Sequence, residues 1–492
     1  MLTKTHEAVE HFLKDVDEQI AYEPMHAAIN EELLGHVEDK AEMYMDFGLE
    51  EDIAYEKAVR DMGDPSILGI QLNDAHHLRV AKPLLLLIIA LTLLGLLGNI
   101  ADGGLYALFN SLYFLWGIFV LTVVLWRGYP TLLKYTDIVL KIFLFGIFAL
   151  VTLLFVPRLF DLELVPYQFY RIYSPSVRYG VMQLSIPMMA VLLYRNRRKG
   201  FNGIWIVFAY EALMILLARL TYMSDTAYVS IITMLISCTG TIVYMIWKDY
   251  FVINKLKGLI GAAAGTVLLA ALFCGIQWND VSSNLQMFMN PNAKASVSDA
   301  WDDSYNNVLI RELFGRAELF GAAKLSQQEL VRYKTAQWYY EDGEGNWNNG
   351  NDSWHSLEDH VKHEMRNTDN LDIKDVLPQH YLNNYRIAYW MLKYGIIPAM
   401  LPVSLIVLTQ IVMFLVAFQI RNRLGRLTAL AGCMAFTVQN LFYFLGNFGF
   451  QFGKFGNLPF VSEGLVSITG TMVMAGLILS AYRFDTVVKE EK

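Results

Sequence analysis

Charged side chains inside or beside long apolar runs are the first candidates for chemistry. An ionisable group in hydrocarbon is costly and usually marks a buried polar pathway. Here these residues are Lys141, Arg178, Glu211 and Arg219. Arg178 and Arg219 fall near the ends of their runs, where a long cationic side chain reaches the headgroups equally well, and Lys141 reads the same way. His36, Glu38 and Asp39 are metal-ligand types, but their setting reads as the solvated face of a helix. The three cysteines, Cys238, Cys274 and Cys433, sit in apolar runs at spacings that fit neither a metal nor a redox motif. P-loop and dinucleotide fingerprints are absent, so direct use of ATP or a nicotinamide has no support.

The elements that position these residues follow from composition. Of 492 residues, 55% are hydrophobic and only 17% charged, against roughly a quarter charged in soluble domains. A helix needs about 20 mainly apolar residues to cross a bilayer. Ten stretches qualify, at about 84–100, 105–126, 138–156, 177–194, 203–220, 228–247, 258–276, 395–419, 427–447 and 462–482. The expected fold is an all-α polytopic membrane protein of about ten transmembrane helices, with a small cytoplasmic helical domain and a large extracellular loop. Met1 to Glu7 has no apolar core, which predicts no cleavable signal peptide. With residues 1–80 in the cytoplasm, alternate loops hold Arg127 and Lys134; Arg195, Arg197, Arg198 and Lys199; Lys248, Lys255 and Lys257; and Arg421, Arg423 and Arg426. That distribution obeys the positive-inside rule. It predicts a bacterial cytoplasmic membrane protein with both termini in the cytoplasm and the bilayer as its solvent. The expected division is 1–80, a cytoplasmic helical domain; 84–276, spans one to seven; 277–394, an outer domain; 395–484, spans eight to ten; and 485–492, a cytoplasmic tail.

The head carries 19 Asp/Glu and 6 Lys/Arg, net −13, whereas the rest of the chain is net +5. No nucleic-acid partner is expected. Its apolar residues recur at helical spacing, Val9, Phe12, Leu13, Val16 and Ile20, then Ile29, Leu33, Val37, Ala41 and Tyr44. Gly48 and Gly63 stand where helix C-terminal caps belong. Glu31 to Asp39, Phe47-Gly48 and Ala58 to Pro65 resemble the permease-prefix module that precedes some bacterial membrane proteins. That resemblance implies a regulatory or interaction domain and names no chemistry. The outer segment holds six of the ten tryptophans, Trp278, Trp301, Trp338, Trp347, Trp354 and Trp390. They read as the packing of a small lid domain, with sugar binding or interfacial anchoring as the alternatives.

Gln439 followed by Leu458-Pro459-Phe460-Val461-Ser462-Glu463-Gly464 resembles the signature of the SEDS (FtsW/RodA/SpoVE) family, in which a glutamine precedes Leu-Pro-Phe-Ile/Val-Ser-Tyr-Gly-Gly. Tyr173-Ser174-Pro175-Ser176 opens span four where the family has Gln-Pro-Ser-Glu, and Ser224-Asp225-Thr226-Ala227 follows span five where it has Pro-Asp-Leu-Gly-Thr-Ala. Asn290-Pro291, Phe314-Gly315, Phe320-Gly321 and Leu377-Pro378 continue the order. The resemblance covers about residues 84–484. It implies polymerisation of undecaprenyl-linked lipid II into peptidoglycan strands, in cell division or cell shape, beside a class B penicillin-binding protein. The substrate groove would include Pro175, Ser176, Arg178, Asp225, Gln439, Pro459 and Ser462. A divalent cation, Mg²⁺ or Mn²⁺, is the cofactor it suggests. A carboxylate would take the acceptor hydroxyl proton while cations offset the pyrophosphate.

Three charged family positions are altered. The outer-loop aspartate aligns with Asn384, whose amide cannot accept that proton, and the span-four glutamate and lysine align with Val177 and Gly180. Glu463 stands where the family has tyrosine. Either Asp375, Asp372 or Glu463 supplies the base in a divergent glycosyltransferase, or the fold is kept by a non-catalytic scaffold or regulator of a class B transpeptidase. A lipid-linked precursor transporter is the third reading.

Overall fold

Lipid offers the backbone no hydrogen-bond partners, so a chain with apolar runs this long closes its bonds within helices. A computed structural model describes residues 7–159, 175–220, 227–291, 304–335, 339–341, 347–349, 371–378 and 381–487. Four helices come first: α1 (Glu7–Asp17), α2 (His26–Asp46), α3 (Glu51–Arg60) and α4 (Pro65–Ala75). They bury the apolar stripes legible in the sequence, with Val9, Val37, Ala41, Ala54 and Ala58 forming one cluster. Gly48 and Gly63 follow α2 and α3 at φ +89°, a conformation glycine adopts without a Cβ clash.

Ten helices correspond to the ten expected spans. They are α5 (Lys82–Asn110), α6 (Leu112–Lys134), α7 (Thr136–Leu159), α8 (Pro175–Arg195), α9 (Phe201–Leu220), α10 (Ala227–Trp247), α11 (Lys255–Ile276) and, after the outer segment, α18 (Ile396–Gln419), α19 (Arg423–Asn447) and α20 (Leu465–Arg483). Among the described residues, seven of these helices are long and apolar enough to cross a membrane by length and composition. In α10, α19 and α20, 67% of the apolar window is buried, against 22% in α6 and α11. The first three therefore form the centre and the other two the rim. Small residues permit that centre: α19 buries Gly425, Ala429, Ala431, Gly432 and Ala435, and such residues let membrane helices approach closely.

One boundary departs from the sequence reading. The first span was expected to end near residue 100 and the second to begin at 105, whereas α5 runs unbroken to Asn110 and α6 starts at Leu112. Asp102 does not end the helix because its charge is met by Lys393, 2.6 Å away.

The segment between α11 and α18 folds as α12 (Trp278–Met289), α13 (Ser304–Phe314), α14 (Gln327–Thr335), a two-stranded antiparallel hairpin of β1 (Tyr339–Glu341) and β2 (Trp347–Asn349), then α15 (Ile373–Val376), α16 (Tyr381–Asn384) and α17 (Arg386–Tyr394). The hairpin is the one departure from helix among the described residues. Trp390 is buried, Trp278 is exposed, and Trp301, Trp338 and Trp354 lie outside the described residues.

The head is tied to the other end of the body. The Arg79 backbone donates to the Arg483 carbonyl at 3.1 Å, its guanidinium stands 3.5 Å from Asp485, and Tyr22 packs edge-on against Phe484. Asp485 also accepts from the backbone of Arg421 and Asn422. One carboxylate thus joins the head linker, the turn between α18 and α19, and the end of α20.

Candidate functional site

The segment Leu458–Gly464 folds into a tight turn. Ser462 Oγ accepts from the Leu458 backbone, and the Ser462 backbone donates to the Leu458 carbonyl. Beyond Pro459, Phe460 sits at φ +67°, a left-handed conformation that costs a non-glycine residue about 1 kcal/mol or more. The strain is held from outside. Arg386 Nη1 donates to the Val461 carbonyl at 2.9 Å and to the Gly95 carbonyl at 3.1 Å, and Nη2 donates to Asn99 Oδ1 at 3.1 Å. Arg386 is fully buried, one of the largest side chains in the molecule to be so. Burial draws its guanidinium below the usual value, while Tyr443, Glu463 and Asp102 act in the opposite direction.

Asn99 links this cation to Glu463. Its Oδ1 accepts from Arg386 while its Nδ2 donates to Glu463 Oε2 at 2.8 Å. Asn110 Nδ2 donates to Oε1 at 3.3 Å, and Asn457 Nδ2 donates to the Glu463 carbonyl at 2.8 Å. A carboxylate has about four acceptor sites, so two amides orient Glu463 and leave capacity for a further hydroxyl donor. The arrangement can therefore hold a base with a cation one amide behind it.

The turn lies directly on α5. A Cβ on Gly95 would come within 2.4 Å of the Val461 carbonyl and 2.8 Å of Phe114. Gly95→Ala is accordingly expected to cost about 1–3 kcal/mol, as overpacking does. Thermal unfolding in detergent measures it, and a loss indistinguishable from that of Gly35→Ala, whose Cβ would meet nothing, would contradict the contact.

A second cluster occupies the next turn of α5. Asp102 Oδ1 accepts from Lys393 Nζ at 2.6 Å and from the hydroxyls of Tyr389 and Tyr394 at 3.2 Å each. Burial pushes the Tyr389 hydroxyl up to about 12. Burial alone would lower the Lys393 ammonium, but its bonds to Asp102, Tyr389 and Tyr394 hold it above its usual value. A raised folded value gives a contribution that is complete below the unfolded lysine value of about 10.4 and lost as pH rises through the folded one. The melting temperature is therefore expected to keep this contribution from neutral pH to about 10, with an alkaline fall beyond. In Lys393→Met that fall should be smaller. Equal alkaline falls in both proteins would remove Lys393 as a source.

The other sequence-selected residues are distributed as follows. Asp372 and Asp375 form a capping box at the start of α15: Asp372 accepts from the Ile373 backbone at 2.7 Å and Asp375 from the Asp372 backbone at 2.8 Å. The Asn383 carbonyl accepts from Tyr443 and Ser462, and the Asn384 carbonyl accepts from Asn447. These bonds fix the chain that carries Asn384 against α19 and the turn. Gln439 donates to the Asn457 carbonyl at 3.2 Å and accepts from Gln183 at 3.1 Å. Ser462 is thereby joined to the chain just before Asn384, and Gln439 to Glu463 through Asn457. Pro175, Ser176 and Arg178 lie in the first turn of α8, and Asp225 lies outside the described residues. Glu211 is fully buried on α9.

Arg386, Asn99, Asn110, Asp102 and Lys393 are absent from the sequence reading. Arg386 had a signal, being a cation among Tyr385, Ile387 and Ala388 two residues beyond Asn384. The amides had none. The donors around Glu463 are amide nitrogens, Asp102 already faces an ammonium, and among the described residues no three His, Cys, Asp or Glu side chains converge. These residues do not form a divalent-cation site.

No family model matches the chain, and no curated protein does. Among solved structures, the fold is similar to that of a chain in the work described as "Structural coordination of polymerization and crosslinking by a peptidoglycan synthase complex". The TM-score is 0.51 at 13% identity, over 82% of this chain and 97% of the other. The likeness is one of fold, and it agrees with an all-α polytopic membrane protein.

Proposed function

We propose that the chain is a SEDS-like membrane protein of cell-wall synthesis, a divergent glycosyltransferase that extends glycan strands from lipid II with Glu463 as the general base. The observation that carries the reading is the carboxylate of Glu463, oriented by Asn99 at 2.8 Å and Asn110 at 3.3 Å with the buried Arg386 behind Asn99. The ordered motifs and the shared fold support it. In the proposed orientation both termini lie in the cytoplasm, Glu463 faces the outer surface, and the helical head is a permease-prefix-like interaction module. Glu463 accepts the proton of the attacking sugar hydroxyl, and Lys393, one-third exposed beside Asp102, is the cation nearest to hand for the pyrophosphate.

A second reading is favoured by one set of residues: Asn384, Val177 and Gly180 stand at the charged positions of the family. On that reading the protein is a scaffold for a single-span class B transpeptidase. Incubating the full chain with labelled lipid II separates the two. Polymer from the wild type supports the enzyme. No polymer from the wild type, with polymer from Asn384→Asp and co-purification of the transpeptidase, supports the scaffold.

A further inference from the structure

The end of α6, the start of α7 and the end of α8 with the turn after it enclose an open cavity of about 500 Å³. Lys134, Arg195, Arg197 and Arg198 line it against one carboxylate, Asp137, giving a net charge of +3. Asp137 is taken up by Arg195 at 2.5 Å. Arg197 is held in place, its guanidinium 3.9 Å over the Tyr194 ring and its Nη1 donating to the Tyr194 carbonyl at 3.0 Å. A planar cation fixed in this way meets phosphate oxygens with little further loss of side-chain freedom.

The surface beside the cavity distinguishes a lipid from a free ion. From the cavity edge, α7 carries Ile138, Ile142 and Phe145 at 53%, 65% and 71% exposure. They follow one another at intervals of four and three residues and so share one face of the helix. On a membrane helix that face meets acyl chains, and a free phosphate would gain nothing from it. Basic pockets between helices at the charged face of a membrane protein are suited to anionic headgroups.

We propose that this cavity binds an anionic phospholipid, its phosphate on Arg197, Arg198 and Lys134 and its acyl chains along Ile138, Ile142 and Phe145. The site is independent of Glu463 and its chemistry. It places a lipid between α6, α7 and α8, where it bridges the rim helix α6 to the more buried α8.

The test is native mass spectrometry of the full chain in detergent micelles with dioleoylphosphatidylglycerol or dioleoylphosphatidylcholine added. The wild type is expected to retain phosphatidylglycerol selectively. Arg197→Gln with Arg198→Gln should weaken that retention about twenty-fivefold, each cation near the surface being worth roughly fivefold. Lys134→Gln, at an exposed position, gives the same readout should the double variant fail to fold. Lys248→Gln with Lys257→Gln, outside the cavity, should leave retention unchanged, while Ile142→Ser with Phe145→Ser should weaken it. Equal retention of both lipids, equal weakening by the two cation pairs, or displacement of phosphatidylglycerol by excess inorganic phosphate would overturn the proposal.

Discussion

Arg386→Ala is expected to lower the unfolding free energy by about 3–5 kcal/mol, because three buried acceptors lose their charged donor at once. The guanidinium, on α17, joins two parts of the chain remote from it and from each other: the Gly95 carbonyl and Asn99 on α5, and the Val461 carbonyl in the turn before α20. Removing it leaves those acceptors at a site with no solvent exposure, and an unsatisfied buried acceptor costs about 1–3 kcal/mol. It also releases the turn that holds Phe460 at φ +67°. Arg386→Lys keeps the charge but loses the planar fork, so it should recover less than half of the loss. Thermal unfolding of the purified variants in micelles measures both. A change for Arg386→Ala below about 1 kcal/mol, the ordinary cost of a point substitution, would show that the network is not what holds the turn.

Glu463→Gln is expected to slow glycan polymerisation by about 10²–10⁴-fold, the usual contribution of a positioned base. The substitution keeps an oxygen for Asn99 or Asn110 and turns an amide toward the other, so its effect on unfolding should stay near 1 kcal/mol. Separating rate from stability in this way is what distinguishes a base from a structural carboxylate. Asn384→Ala should change the rate far less, because the bonds that fix that position run through the backbone carbonyls of Asn383 and Asn384. If Asn384→Ala removed activity while Glu463→Gln retained it, the chemistry would lie at the family position after all.

The ten long apolar helices, seven of them long and apolar enough to cross a membrane among the described residues, are legible as apolar runs because such a helix announces itself through twenty or so neighbouring residues. The end of α5 is not, because Asp102 and the two glycines after it read as a break, and the residue that neutralises Asp102 is Lys393, far along the chain. That extension matters to the site, since it puts Asn110 on the same helix as Asn99. Arg386 was hidden for a related reason: two of its three acceptors are backbone carbonyls, which leave no mark on residue identity. Asp372 and Asp375 show the opposite case. Their spacing of three is the capping-box pattern, a local structural signal present in the sequence beside the catalytic one. Glu463 was picked out by its departure from a motif, but its amide partners Asn99 and Asn110 only became visible once helix packing brought them together.

The role of Glu463 is tested most directly by polymerisation of labelled lipid II by the wild-type chain and by Glu463→Gln, each checked for equal melting. The expected result is glycan polymer from the wild type and a loss of about a hundredfold or more in the variant. Equal polymerisation by the two proteins would contradict it.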